Sequence, residues 1–310
     1  MLIKKAEESL RRSSLVLNHF SNYRHKLWLI GDGRSGTTWV SNLINYDKYF
    51  RHVFEPYHSK IMPEVKFLSS HYYARPAIEN YQLYELSEKI FTGRLWYPRL
   101  DSDNAIGMYK GLLVKDIFAN LFSYWVHSHF ADVKIILLVR NPFAVAMSKY
   151  MKKDWTWITD PIDLFNQPDL QNDYLKEFED LIFKTAEKND FILNQILIWS
   201  IIHFIPFRQF NSEQIHLVFY EDIFLDPVSE ISKIGNYVGI DLNHLSKRVI
   251  EKPSRVGSLN IQRGTSPITS WKSDIPVSTI DQGFRILESF GLHNLYDQNS
   301  IPCKFDLDNF

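Results

Sequence analysis

The chain of 310 residues contains a single cysteine, Cys303. No intramolecular disulfide can form, and a metal site needing two cysteines is excluded. Cysteine this sparse suits a reducing compartment. Charge excess is missing too: 35 lysines and arginines against 36 aspartates and glutamates leave a formal net charge of −1. Attachment to nucleic acid or to an anionic membrane through a bulk field is thereby excluded. Any anionic ligand has to be held by a local site. Nor is there an uninterrupted apolar run of about 18 residues, the length of a membrane span. The longest candidates, Val133–Val139 and Phe191–Phe207, are broken by Lys134 and by Asn194, Gln195 and His203. The charged start, MLIKKAEESLRRSS, lacks the apolar stretch of a secretory signal. The expectation is a cytoplasmic protein with no transmembrane segment and no nucleic-acid partner.

What the chain does have is aromatic residues, 22 Phe, 16 Tyr and 8 Trp, enough for stacking surfaces or deep apolar pockets. No internal repeat and no Pro/Gly/Ser linker divides it. A single domain over 1–310 follows, with 1–25 as an N-terminal helical extension. The oligomeric state stays open, a homo-oligomer included.

Short β-rich runs alternate with helical patterns. Leu27–Gly31 ends in glycine and leads into a helical stretch from Thr38 to Tyr46. His52–Phe54 stops at Glu55-Pro56, where proline favours extended geometry in its predecessor. Gly111–Lys115 reads as a strand or a helix start. Lys134–Val139 is continuously apolar after its first residue, the pattern of a strand buried on both faces. Pro142 is placed as the first residue of a helix through Tyr150. Phe191–Phe210 is helical in period and interrupted at Pro206, Gln214–Tyr220 reads as a strand, and Asp226-Pro227 opens a helix to about Val238. This alternation predicts an α/β fold, a parallel sheet flanked by helices on both faces. Tyr57–Asn104 and Met151–Asp190 read as insertions shaping a cleft.

The sharpest local feature is Gly31-Asp32-Gly33-Arg34-Ser35-Gly36-Thr37-Thr38-Trp39, between a strand and a helix. Its glycines permit close backbone approach, and free N–H groups at the helix start face a bound anion. Ser35, Thr37 and Thr38 add hydroxyls and Arg34 adds a guanidinium. Gly31 and Gly36 have the spacing of a nucleoside-triphosphate loop, but Thr37 stands where that motif has its lysine. The strand Lys134–Val139 ends in Arg140, not in a magnesium-binding aspartate. The loop therefore suits one or two phosphate-like groups without a metal.

Arg34-Ser35-Gly36-Thr37-Thr38-Trp39 resembles the 5′-phosphosulfate loop of sulfotransferases that use 3′-phosphoadenosine-5′-phosphosulfate (PAPS). Arg140, with Pro142 two residues on and Ser148 eight residues on, is similar to that family's 3′-phosphate segment, and a strand-end arginine can converge with Ser148 on one phosphate. Phe219-Tyr220-Glu221-Asp222 resembles the family's segment after a late strand, which implies Tyr220 near the adenine, with Glu221 and Asp222 as braces. Gln262-Arg263-Gly264 before Ser270-Trp271-Lys272 is similar to a late loop over the 3′-phosphate. It departs in lacking one of two adjacent cations, for which Arg255 is the candidate replacement. The resemblance spans roughly Leu27 to Lys272. It implies a P-loop-containing nucleotide-hydrolase-like sulfotransferase fold, PAPS as donor, adenosine 3′,5′-bisphosphate (PAP) as product, and no metal.

Sulfonate transfer needs a base for the acceptor hydroxyl and positive charge at the leaving phosphate. Arg34 is the candidate for the latter, with Lys115 as a second cation or, alternatively, a surface lysine paired with Asp116. Phe54-Glu55-Pro56 resembles a segment that carbohydrate sulfotransferases place beside the acceptor, which makes Glu55 the candidate base, with His52 and His58 as alternatives. A Lys-Thr-His context, used by the steroid and phenol branch, is absent. The acceptor expected is a glycan or another small molecule bearing a hydroxyl. Two competing readings remain, a P-loop kinase-like phosphotransferase and a non-catalytic nucleotide- or glycan-binding relative.

Overall fold

The computed structural model describes residues 5–10, 12–13, 23–153, 155–242 and 266–310. Among the described residues five parallel strands form one sheet: β1 His25–Gly31, β2 Phe50–Phe54, β3 Gly111–Lys115, β4 Val133–Val139 and β5 Ile215–Phe219, in the spatial order β2-β3-β1-β4-β5. β1 pairs with β3 on one side and β4 on the other; the connection after β1 runs to β2 and the one after β4 runs the opposite way to β5, so the direction reverses between β1 and β4. In open parallel sheets that reversal point, at the carboxyl ends of the strands, is where ligands bind.

Side-chain alternation explains why the strands read as continuously apolar. Leu27, Leu29, Ile136 and Leu138 enter one buried cluster; Trp28, Ile30, Ile135, Leu137 and Val139 enter a larger one on the opposite face. Both faces are covered, as the sequence of β4 predicts. Helix α1, Thr37–Ile44, follows β1. Asn141 caps α2, Pro142–Lys152, through bonds from the N–H groups of Phe143 and Ala144, with Pro142 inside its first turn. Asp226 caps the helix Pro227–Val238 in the same way.

Two expectations need correction. The helix Phe191–Gln209, α3, runs through Pro206 without interruption. Proline deprives the Ile202 carbonyl of its helical donor, and the Asn120 side-chain amide supplies the missing bond at 3.2 Å. The same helix, 19 residues, is long and apolar enough to cross a membrane, yet it is mostly buried inside the protein. The expected insertions also contribute to the core, where Leu83, Ile90, Phe91, Leu164, Leu170 and Ile182 enter the larger cluster. In the N-terminal extension, residues 5–10 and 12–13 are helical, while His25 already belongs to β1.

Candidate active site

The loop after β1 shows why its glycines sit where they do. An added Cβ at Gly36, whose φ is +93°, would lie 2.6 Å from a ring carbon of Tyr220, and one at Gly33 would lie 2.1 Å from the Trp155 ring. Real Cβ atoms do not approach so closely, so the loop is pressed between two aromatic rings. Arg34 also has positive φ, +74°, a conformation a non-glycine residue holds only when its surroundings enforce it. Arg34, Thr38 and Trp39 reach the surface, whereas Ser35 and Thr37 are buried. No side chain caps the start of α1, and the buried Ser35 Oγ has no partner. Helix-start N–H groups plus an orphaned hydroxyl fit a bound anion.

Arg140, at the end of β4, donates from Nη1 to the Arg34 carbonyl at 2.8 Å and from Nη2 to the Pro267 carbonyl at 3.0 Å. Its buried Nε has no partner. The guanidinium lies 4.3 Å from the Tyr220 ring centroid, and Trp39 meets that ring edge-on at 5.5 Å. Tyr220 thus sits under the loop between Gly36 and Arg140. Ser148 on α2 accepts a bond of 3.0 Å from Arg34 Nε. The expected direct convergence of Arg140 and Ser148 is therefore bridged by Arg34: Ser148 takes its side chain and Arg140 its backbone. Arg255, Arg263 and Gly264 lie outside the described residues. Lys272 bonds the Gln298 carbonyl, and Trp271 stacks on Phe143 at 4.7 Å.

Glu221 is fully buried, accepting from the Asn141 N–H at 3.0 Å and from the Tyr296 hydroxyl at 3.2 Å. Burial raises its carboxyl to about 7, against the pull of the Asn141 bond and the Arg140 charge. This bracing position agrees with the sequence reading; the shifted proton affinity was not legible there.

At the other end of the same edge, Glu55 and Lys115 form a buried ion pair. Lys115 ends β3 and Glu55 follows β2, its neighbour, with Phe54 in register with Lys115. Glu55 holds a positive φ of +51° and donates its own N–H to the Lys115 carbonyl at 2.7 Å. The alternative pairing of Lys115 with Asp116 does not occur. Asp116 instead accepts from Trp28 Nε1 at 3.2 Å and the Tyr57 N–H at 3.3 Å, and burial lifts its carboxyl well above the usual range. His58 packs edge-on against Trp157 at 4.4 Å and Phe118 at 5.1 Å, and burial lowers its proton affinity although Glu55 opposes this. His52 turns its Nδ1 to Asp103, 3.7 Å away, and its ring meets Phe54 edge-on at 6.2 Å. Strands in a sheet are about 4.8 Å apart, so the end of β2, two strands from β1, is roughly 10 Å from the loop.

Sequence reasoning missed one pair. Lys149 Nζ bonds both Asp32 oxygens, at 2.8 and 2.7 Å, and neither side chain is exposed. An acidic residue inside a loop expected to bind an anion was the available signal, because such a charge must be neutralised nearby. Among the described residues, no group of three or more His, Cys, Asp or Glu could hold a metal ion.

The sequence matches the family described as "Sulfotransferase domain" over residues 24–263. No curated protein matches. Solved structures similar to it include a sulfotransferase from Alicyclobacillus acidocaldarius, 13% identical, with TM-score 0.43 over 87% of this chain and 96% of that one. Another is the sulfotransferase domain of the Synechococcus PCC 7002 olefin synthase, 13% identical, with TM-score 0.45 over 89% and 96%. A third is mouse sulfotransferase SULT7A1 complexed with PAP, 13% identical, with TM-score 0.38 over 92% of each chain.

Proposed function

This chain belongs to the sulfotransferase family, enzymes of sulfonate transfer, and from that premise we propose that its donor is PAPS and its acceptor a hydroxyl on a carbohydrate or glycoconjugate. The observation that carries the reading is the Glu55–Lys115 pair at the same sheet edge as the phosphate loop. It supplies a carboxylate and an ammonium together, roughly two strand spacings from a site suited to an anion.

In this reading, the loop N–H groups and Ser35 Oγ bind the 5′-phosphate side of the donor. Arg34 stabilises charge on the phosphate oxygen as its bond to sulfur breaks, and Arg140 Nε, buried and without a partner, faces the 3′-phosphate. Lys115 swings towards the transferring sulfonate. That movement frees Glu55 Oε1 to take the proton from the acceptor hydroxyl as its oxygen bonds to sulfur. Trp39 and Tyr220 border the adenine. A sugar acceptor is favoured by the Phe54-Glu55-Pro56 segment and by the aromatic wall of Phe118 and Trp157 beside His58. The test is incubation with labelled PAPS and a panel of glycans, lipids and phenols, read by mass spectrometry. Sulfated glycan is the expected product; label on phenols or lipids alone overturns the acceptor assignment, and no label anywhere overturns the donor.

A further inference from the structure

Two consecutive residues of α2 grip the phosphate loop. Ser148 Oγ accepts from Arg34 Nε at 3.0 Å, and Lys149 Nζ holds both oxygens of Asp32. Asp32 and Arg34 alternate with Gly31 and Gly33, which have no side chain to hold. Within residues 31–34 the grip therefore falls on the two positions that carry side chains.

The Asp32–Lys149 pair is expensive for a merely structural contact. Both side chains have no exposure, and burial pushes the Asp32 carboxyl up and the Lys149 ammonium down, each opposed by its partner. The Trp155 ring covers the ammonium at 4.9 Å while pressing on Gly33. His71 and His203 add no compensating charge. Burial lowers both, His203 to about 3, and the Lys149 charge lowers them further. Apolar side chains of similar size would fill such a place at no loss of stability. What apolar side chains could not do is fix the direction of the loop at Asp32, and with it the positive φ of Arg34 two residues on.

We propose that Asp32 and Lys149 are positioning residues: their ion pair clamps the loop against α2 and holds its N–H groups and Arg34 in the anion-receiving arrangement before the donor arrives. The proposal rests on the reading of this loop as the grip on the donor's 5′-phosphate. The pair touches no substrate; it acts through Arg34 and the loop backbone.

The test compares the full-length wild type with Lys149→Met and with the double variant Asp32→Asn/Lys149→Met. The double variant removes both charges and keeps the volume, so it folds even where the single variant does not. PAP and 5′-AMP binding are measured by titration calorimetry well below each melting temperature. The expected result is a double variant with a melting temperature near that of the wild type, binding both nucleotides at least tenfold more weakly by a common factor. A common factor follows because the loop holds the phosphate the two nucleotides share. A folded double variant that binds both within twofold of the wild type overturns the clamp, whatever its melting temperature. A wild type that binds neither nucleotide overturns the donor reading, and the clamp with it.

Discussion

Lys115 and Glu55 bond across the ends of two neighbouring parallel strands, with 2% and 9% of their side chains exposed. A pair so enclosed would cost stability if its only role were cohesion. In the proposed reading its place at the carboxyl edge of the sheet gives it another use, a cation and a base released together when the donor's anion draws the ammonium away. Glu55→Gln is expected to cut turnover about 10²- to 10⁴-fold, the usual worth of general base catalysis, with PAP affinity kept within a few-fold. Steady-state kinetics with labelled PAPS and calorimetric titration check this. Unimpaired turnover would assign the base elsewhere, with His58 next.

Arg140 is placed to act twice, through its unpartnered Nε and through its bond to the Arg34 carbonyl. Arg140→Ala should weaken PAP binding about ten- to a hundredfold, the worth of a charged hydrogen bond. Binding of 5′-AMP, which lacks the 3′-phosphate, should fall less. Equal losses would show that Arg140 serves only the loop.

Gly36 combines a positive φ with contact against Tyr220. Gly36→Ala should destabilise the fold by roughly 1–3 kcal/mol, the range for backbone held in a sparsely populated region. Adding Tyr220→Ala should recover the steric part and leave the conformational part. Denaturant melts of the single and double variants separate the two, and complete recovery would mean that φ carries no cost.

Glu221 gives the stability a pH dependence of defined sign. Its carboxyl titrates at about 7 in the fold against an ordinary 4.5, so the folded chain holds this proton more tightly than the unfolded one. Its contribution falls as pH rises from about 4.5 to about 7, by up to about 3 kcal/mol, and is level outside that window. His203 works oppositely: depressed to about 3 from 6.5, it lowers stability as pH falls through that range. Comparing wild type with Glu221→Gln cancels the histidine's share. The variant should gain on the wild type between pH 5 and 7.5, measured by chemical denaturation. A constant difference would show that Glu221 titrates normally.

Asn120 completes the helix that Pro206 would otherwise leave short of one bond. Asn120→Ala should cost roughly 1–2 kcal/mol, and the cost should shrink in a Pro206→Ala background, where a backbone N–H returns to Ile202. A double-mutant cycle of melting transitions measures the coupling, and strict additivity would sever the link.

Much of this was legible in the chain itself. The phosphate loop and the first-turn proline of α2 depend on residues within a few positions of one another, as does the buried character of β4. Backbone geometry and strand burial follow from that short-range order. The helix through Pro206 was not legible, because the donor that rescues it is 82 positions away.

The sequence by itself determined that a glycine-rich loop starts a helix after an apolar strand, that Arg140 ends another strand, and that Glu55 follows a third. Tertiary structure alone decided what those charges face. It brought Lys149 to Asp32 over 117 positions and Lys115 to Glu55 over 60, and it enclosed Glu221 until its carboxyl holds a proton near neutrality. The reason is physical: local conformation is set by neighbours along the chain, whereas desolvation and the choice of ion-pair partner exist only once distant segments have packed together.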